Sequence, residues 1–160
     1  MRARNYILLI IGFIILFSGL NEALAQEKPP RPMAVSTLQN LSFGTFSLGS
    51  AGGDVTIDVW GGRTVTGEII GIGSMNYCPA IFQIDAEPGT MLTWIGSDVT
   101  LSGSNGGSMN LHIQNSQNAY IASVSMTGEI RISIGGTLTV PASTPPGTYT
   151  GSFAITFIQE

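Results

Sequence analysis

The sequence predicts an all-β protein of about 7–10 short antiparallel strands, a sandwich or a barrel, following a cleaved N-terminal signal peptide. Three observations carry that expectation. Apolar residues recur with period two along most of the chain, as in Val55, Ile57 and Val59 against Asp54, Thr56 and Asp58. Glycine and proline pairs punctuate these runs at short intervals. Beyond the first residues, no stretch sustains apolar spacing at i, i+3 and i+4, so little or no helix is expected.

The chain opens with Arg2 and Arg4, an apolar run from Tyr6 to Leu20, and Ala23-Leu24-Ala25. A positive start, a short apolar stretch and an A-x-A exit mark a secretory signal peptide, with cleavage expected after Ala25. Asn21 and Glu22 interrupt the run before it reaches the roughly 20 apolar residues of a membrane span. Residues 26–37 begin QEKPPRP, and their prolines hold the chain extended and remove backbone donors, which reads as a lead. Residues 38–160 form the sandwich domain, large enough to bury a core of its own.

Within the domain the clearest strands run from Asp54 to Trp60 and from Glu129 to Ile134, with Leu138 and Val140 continuing beyond Gly135-Gly136. In the closing segment Tyr149, Phe153, Ile155 and Phe157 alternate with Thr150, Ser152, Ala154 and Thr156, so the chain ends on a core-facing strand. Weaker strand patterns cover 41–48, 64–72, 80–86, 91–95, 98–101, 108–114 and 119–126. Between them Gly61-Gly62, Pro88-Gly89, Asn105-Gly106-Gly107 and Pro145-Pro146-Gly147 supply turn geometry.

Charge narrows the function. Only 10% of the residues are charged, against roughly 25% in an average soluble domain. Removing Arg2, Arg4 and Glu22 with the signal from 6 basic and 10 acidic residues leaves 4 and 9, a net of −5. Lys28 and Arg31 lie in the lead, which leaves Arg63 and Arg131 in the domain. Nucleic-acid binding needs cations to neutralise phosphates, and anionic lipid needs them equally; neither partner is expected. No membrane anchor is expected after signal cleavage. Cys78 is the single cysteine, so no internal disulfide is available, and its place before Pro79 reads as a small buried hydrophobe.

No catalytic constellation stands out. His112 shares parity with Asn110 and Gln114, opposite Met109, Leu111 and Ile113, so it is expected to face water rather than to sit in the sheltered hydrogen bond of a triad. One Cys and one His do not make a zinc site. Asp54, Asp58, Asp85, Glu87 and Asp98 lack the closely spaced oxygen ligands of a calcium loop, and they read as solvated charge. No metal or cofactor is expected. The best ligand candidates are Trp60 and Trp94, both beside glycine near strand ends, where an aromatic face can stack on a sugar ring. Asn40-Leu41-Ser42 matches the N-glycosylation triplet.

The stretches LSFGTFSLGSAGGDVTID, GGRTVTGEIIGIG, PAIFQIDAEPGTML and IGGTLTVPASTPPGTYTGSFAITF resemble the bacterial exported family catalogued as domain of unknown function 4402, over about residues 38 to 158. The most specific pieces are Leu-x-Phe-Gly at Leu41 to Gly44, Gly-Gly-Thr-Leu-x-Val, and Gly-x-Tyr-x-Gly-x-Phe. The resemblance implies that the strands form an all-β, antiparallel immunoglobulin-like β-sandwich, exported and with no assigned reaction. The closing strand is also similar to chaperone-usher pilus subunits and spore-coat-like secreted domains, although many pilus subunits carry a disulfide that this chain lacks.

That similarity implies a groove beside the terminal strand, lined by Tyr149, Phe153, Ile155 and Phe157, that another chain fills by β-strand addition. The candidate donor is the segment from Met33 to Leu41, with Met33 and Val35 on one parity and Leu38 on the other. The expected function is an exported, non-enzymatic structural or adhesive surface protein, in the periplasm, on the cell surface or outside the cell. Its expected partners are β-sandwich subunits, itself included, and a periplasmic chaperone. The alternative is a self-complete, monomeric carbohydrate-binding sandwich that uses Trp60 and Trp94.

Overall fold

In a computed structural model, residues 31–114 and 122–159 are described. The expected signal peptide, the start of the lead and part of the 119–126 strand lie outside the described residues. The described strands are β1 (Ala34–Gln39), β2 (Ser42–Leu48), β3 (Gly53–Ile57), β4 (Arg63–Val65), β5 (Ile69–Cys78), β6 (Ala80–Asp85) and β7 (Met91–Gly96). They continue with β8 (Val99–Gly103), β9 (Ser108–Ile113), β10 (Ala122–Ser123), β11 (Glu129–Ile134), β12 (Gly136–Val140), β13 (Tyr149–Thr150) and β14 (Ile155–Gln159). No helix occurs among the described residues, and all strand pairs are antiparallel. The expected all-β sandwich is what the chain forms.

One wall is a six-stranded sheet in the order β13-β8-β9-β12-β3-β4. The others are the ladders β1-β6-β11, β10-β7-β14 and β2-β5. All contribute to a single core in which Val55, Ile57, Ile84, Leu92 and Ile113 are fully buried. The strands of the six-stranded sheet keep strict alternation: β9 reads exposed-buried three times over, placing Met109, Leu111 and Ile113 inward. At Gly96, a side chain would strike Ile113 and Ile155, so the backbone of β7 packs directly against the facing sheet and its neighbouring strand.

More strands form than alternation foretells, because two runs break and one further strand forms in the lead. The 64–72 run divides into β4 and β5 at a turn where Glu68 N–H donates to the Gly52 carbonyl at 2.8 Å. The closing run divides too: β13 pairs with β8, residues 151–154 have no ladder partner, and β14 pairs with β7. The parity survives the break, since Tyr149, Phe153, Ile155 and Phe157 all pack against the core. The third difference is β1, which starts at Ala34 inside the proline-rich lead and pairs with β6.

Where β2 meets β5, the register slips between Phe43 and Thr45, so that residues 73–76 of β5 form a bulge with no paired residue on β2. Gly44 takes φ 72°, a conformation open to glycine and costly for other residues. Arg63 spans this irregularity from β4. Its guanidinium donates to the carbonyls of Phe43 (3.3 Å), Thr45 (3.1 Å) and Gly73 (2.9 Å) and lies 4.3 Å above the centre of the Tyr77 ring. A planar fork with five donors suits this task, because one side chain satisfies several diverging carbonyls.

Candidate functional site

A groove of about 900 Å³ runs between β2 and the segment that leads through β13 to Phe153. Its floor is the inner face of the six-stranded sheet: Leu101, Met109, Leu111, Leu138 and Val140. One wall carries Phe43, Phe46 and Leu48 of β2; the other carries Pro145, Tyr149, Gly151 and Phe153. Among the described residues β2 pairs with β5 alone, and residues 151–154 pair with no strand. Both walls therefore present backbone edges without ladder partners, and unpaired edges are templates for a further strand. At ~3.4 Å per residue, seven residues of β2 make a wall roughly 24 Å long, which suits an extended chain better than a compact ligand.

The walls are held in place. The Tyr149 hydroxyl donates to the Pro145 carbonyl at 2.6 Å, closing the PASTPPGTY loop on itself. A side chain on Gly151 would meet Leu101 Cδ2 at 2.6 Å, so glycine lets the crossing segment lie against the floor. At the far end of β2, Glu68 accepts from the Ser50 hydroxyl (2.8 Å) and the Ala51 N–H (3.0 Å). Those bonds, the Ser50 hydroxyl first, hold the Glu68 carboxyl below the usual glutamate range.

Two of the three motifs that carried the resemblance, Leu41-x-Phe43-Gly44 and Tyr149-x-Gly151-x-Phe153, thus stand on opposite walls of one groove. The chain belongs to the family of the domain of unknown function DUF4402, whose model matches residues 33–158. No curated protein and no solved structure matches it. The DUF4402 match begins at Met33, so it takes in β1 as well as the strands that enclose the groove.

Of the four residues expected to line the groove, Tyr149 and Phe153 do. Ile155 and Phe157 lie beyond it, where β14 pairs with β7, and the Phe157 ring meets Phe82 edge-on at 5.5 Å. Sequence reading missed the whole opposing wall on β2, since nothing in one strand's alternation tells which edge stays unpaired.

The expected donor segment is placed as a strand of its own domain. Met33 packs against the core, while Val35 and Leu38 are 46% and 50% exposed. Five of the six residues of β1 are exposed, so the ladder with β6, rather than side-chain burial, holds it.

The two tryptophans part company. Trp94 lies within β7 opposite Phe157 and is a core residue at 8% exposure, whereas Trp60 is 86% exposed. Trp60 sits at the tip of the β3–β4 hairpin, where Asp58 Oδ1 accepts from the N–H groups of Trp60 and Gly62, each at 2.8 Å. An aspartate bonding its own turn in this way fixes the loop backbone.

His112 faces water as its parity predicts, with Nδ1 2.7 Å from Asp98 Oδ1. The hydrogen bond from His112 holds the Asp98 carboxyl below the usual aspartate range. Cys78 is half-buried and donates to the Asn40 carbonyl at 3.4 Å, tying β5 to the residue between β1 and β2.

Proposed function

We propose that the chain is an exported, non-enzymatic structural or adhesive surface subunit whose sandwich accepts a β-strand from another subunit. The observation that carries this reading is the groove: an apolar floor between two strand edges that lack ladder partners. An added strand gains main-chain hydrogen bonds from an edge and places alternate side chains on the floor, which is the physical basis of β-strand addition. The opening signal-like segment supports export, and an exported fibre or coat subunit with an open groove needs a periplasmic chaperone or a neighbour to cover it.

The donor in this reading is the segment Met33 to Leu41 of a neighbouring copy. Releasing β1 from β6 gives up ladder hydrogen bonds, each worth a net ~0.5–1.5 kcal/mol, and little side-chain burial. The groove offers that strand an edge in exchange, together with apolar contact for Met33 and Val35, which share one face, while Leu38 lies on the other.

The test is the mature protein, exported through its own leader and run boiled and unboiled on a denaturing gel, with light-scattering mass for the native sample. A ladder that collapses on boiling, and that disappears when residues 33–41 are deleted, is the expected result. A monomer at every concentration sinks the proposal.

A further inference from the structure

We infer that the outer face of the six-stranded sheet, together with Trp60 at the end of its β3–β4 hairpin, is a contact surface for a neutral, hydroxyl-rich polysaccharide. This goes beyond strand addition and uses a different surface, so it stands or falls separately.

The face is built in rows set by the ladder. The register aligns Thr64, Thr56, Thr137 and His112 across four strands. The next row aligns Asp54, Thr139, Asn110 and Thr100. A third aligns Ser108, Ser102 and Thr150. Neighbouring strands stand about 4.7–4.9 Å apart, and successive rows, two residues along each strand, about 6.8 Å apart. The result is a low-relief lattice of hydroxyl and amide groups.

Cross-strand bonds pin it. Thr56 and Thr137 hydroxyls are 3.0 Å apart; Thr139 donates to Asp54 Oδ1 at 2.8 Å; Thr100 donates to Asn110 Oδ1 at 3.2 Å. Side chains already fixed lose little rotamer freedom when a ligand arrives. Each hydroxyl and amide keeps further donor or acceptor capacity for that ligand.

Composition points to the ligand class. Of the eleven aligned residues one, Asp54, is an acid and none is Lys, Arg or Glu, whereas an ordinary soluble surface is roughly 25–35% Lys, Arg, Glu and Asp. The ladder β1-β6-β11 does carry such residues, with Glu129 and Arg131 exposed on β11. A sugar presents hydroxyls around an apolar ring face; hydroxyl rows meet the first and an exposed indole meets the second. Trp60 adjoins the first row through the hairpin that contains Thr56 and Thr64. A net charge of −5 once the expected signal is removed repels acidic polymers, and the aligned rows offer a basic polymer Asp54 alone. Because each contact with water-exposed hydroxyls is weak, affinity comes from many sugars engaged at once, so a polymer is bound and a monosaccharide is not.

The experiment measures depletion of the mature protein from solution by microcrystalline cellulose, chitin and insoluble starch, with free glucose as competitor. Depletion onto at least one, insensitive to millimolar glucose, is expected. Trp60→Ala and Asn110→Lys, both at exposed positions, each weaken it by roughly tenfold or more. Glu129→Lys, exposed on β11 away from this face, leaves it unchanged, and all three variants keep the parent melting temperature. Depletion by none of the three solids overturns the inference. Loss in Trp60→Ala with Asn110→Lys unaffected also overturns it, since contact would then be confined to the hairpin tip. The unboiled gel ladder reads strand addition independently, so failure of one proposal is distinguishable from failure of the other.

Discussion

The six-stranded sheet and the strands that cover it are built from the same residue types, yet one is a continuous ladder and the other divides into ladders of three, three and two. On the continuous side, alternation runs unbroken through β3, β9 and β12, and every inward residue of β9 and β12 is buried. On the divided side, β2 carries a bulge at Gly44, the closing segment changes ladders at residues 151–154, and β1 hangs on β6 with its side chains exposed. Regular pairing is concentrated in the first and unpaired edges in the second, while both supply buried core residues. The groove lies where they meet, and its floor is borrowed from the continuous side.

The largest expected effect tests this division directly. Ile57 is fully buried in the continuous sheet, and Ile57→Ala is expected to cost about 2–5 kcal/mol in urea unfolding. Phe46 is a half-buried groove wall on β2, and Phe46→Ala is expected to cost at most about half of the 3–5 kcal/mol typical of a fully buried phenylalanine. A greater loss for Phe46→Ala than for Ile57→Ala would show that the divided side carries the stability.

What was legible in the sequence follows this division except at β11, which belongs to the divided side yet alternates clearly. Strands β3, β9, β11 and β12 could be read from alternation because one face is core and the other water, and period two has no competing explanation there. The break in the closing run was hidden, because Tyr149 to Phe157 keeps its parity while its hydrogen bonds move from β8 to β7. Strand β1 was hidden because exposed residues on both faces leave no period to read. For the site, Tyr149 and Phe153 were legible as inward residues, but the opposing wall on β2 depends on tertiary pairing that sequence does not encode locally. Trp60 and Trp94 looked alike beside their glycines; only the hairpin tip and the mid-strand position tell them apart.

Two intermediate effects sharpen the comparison at the bulge. Gly44→Ala forces a side chain into φ 72°, with its Cβ 3.1 Å from Arg63 Nη1 and 3.2 Å from the Asn76 carbonyl oxygen. A loss of about 1–2 kcal/mol is expected, read as a lowered urea midpoint with unchanged slope. Arg63→Lys keeps the charge but replaces the fork with a point donor, leaving part of the Phe43, Thr45 and Gly73 carbonyl set unsatisfied. The expected cost is about 1 kcal/mol, with amide exchange quickened in β2 and β5 and unchanged in β9 and β12. Equal quickening in β9 and β12 would mean that the two sides open together and the comparison is false.

The smallest effect is a pH dependence, and it appears once on each side. Glu68 clasps the turn after β2, and Asp98 bonds His112 beside the continuous sheet; both carboxyls are held below their ordinary values by those hydrogen bonds. A carboxyl depressed on folding adds stability that is complete above its unfolded value, about 4.3 for Glu and 3.9 for Asp, and is lost as pH falls through the lower folded value. Melting temperatures of Glu68→Gln and Asp98→Asn are therefore expected to fall below the parent by at most a few degrees at neutral pH, because both pairs are solvent-screened. Each deficit should shrink to nothing as acid protonates the parent carboxyl. The clasp acts on a groove wall, so Glu68→Gln should also quicken exchange in β2, while Asp98→Asn should leave β2 untouched. If the two variants loosen β2 alike, the walls of the groove are coupled to the outer face, and strand addition on one surface would be felt on the other.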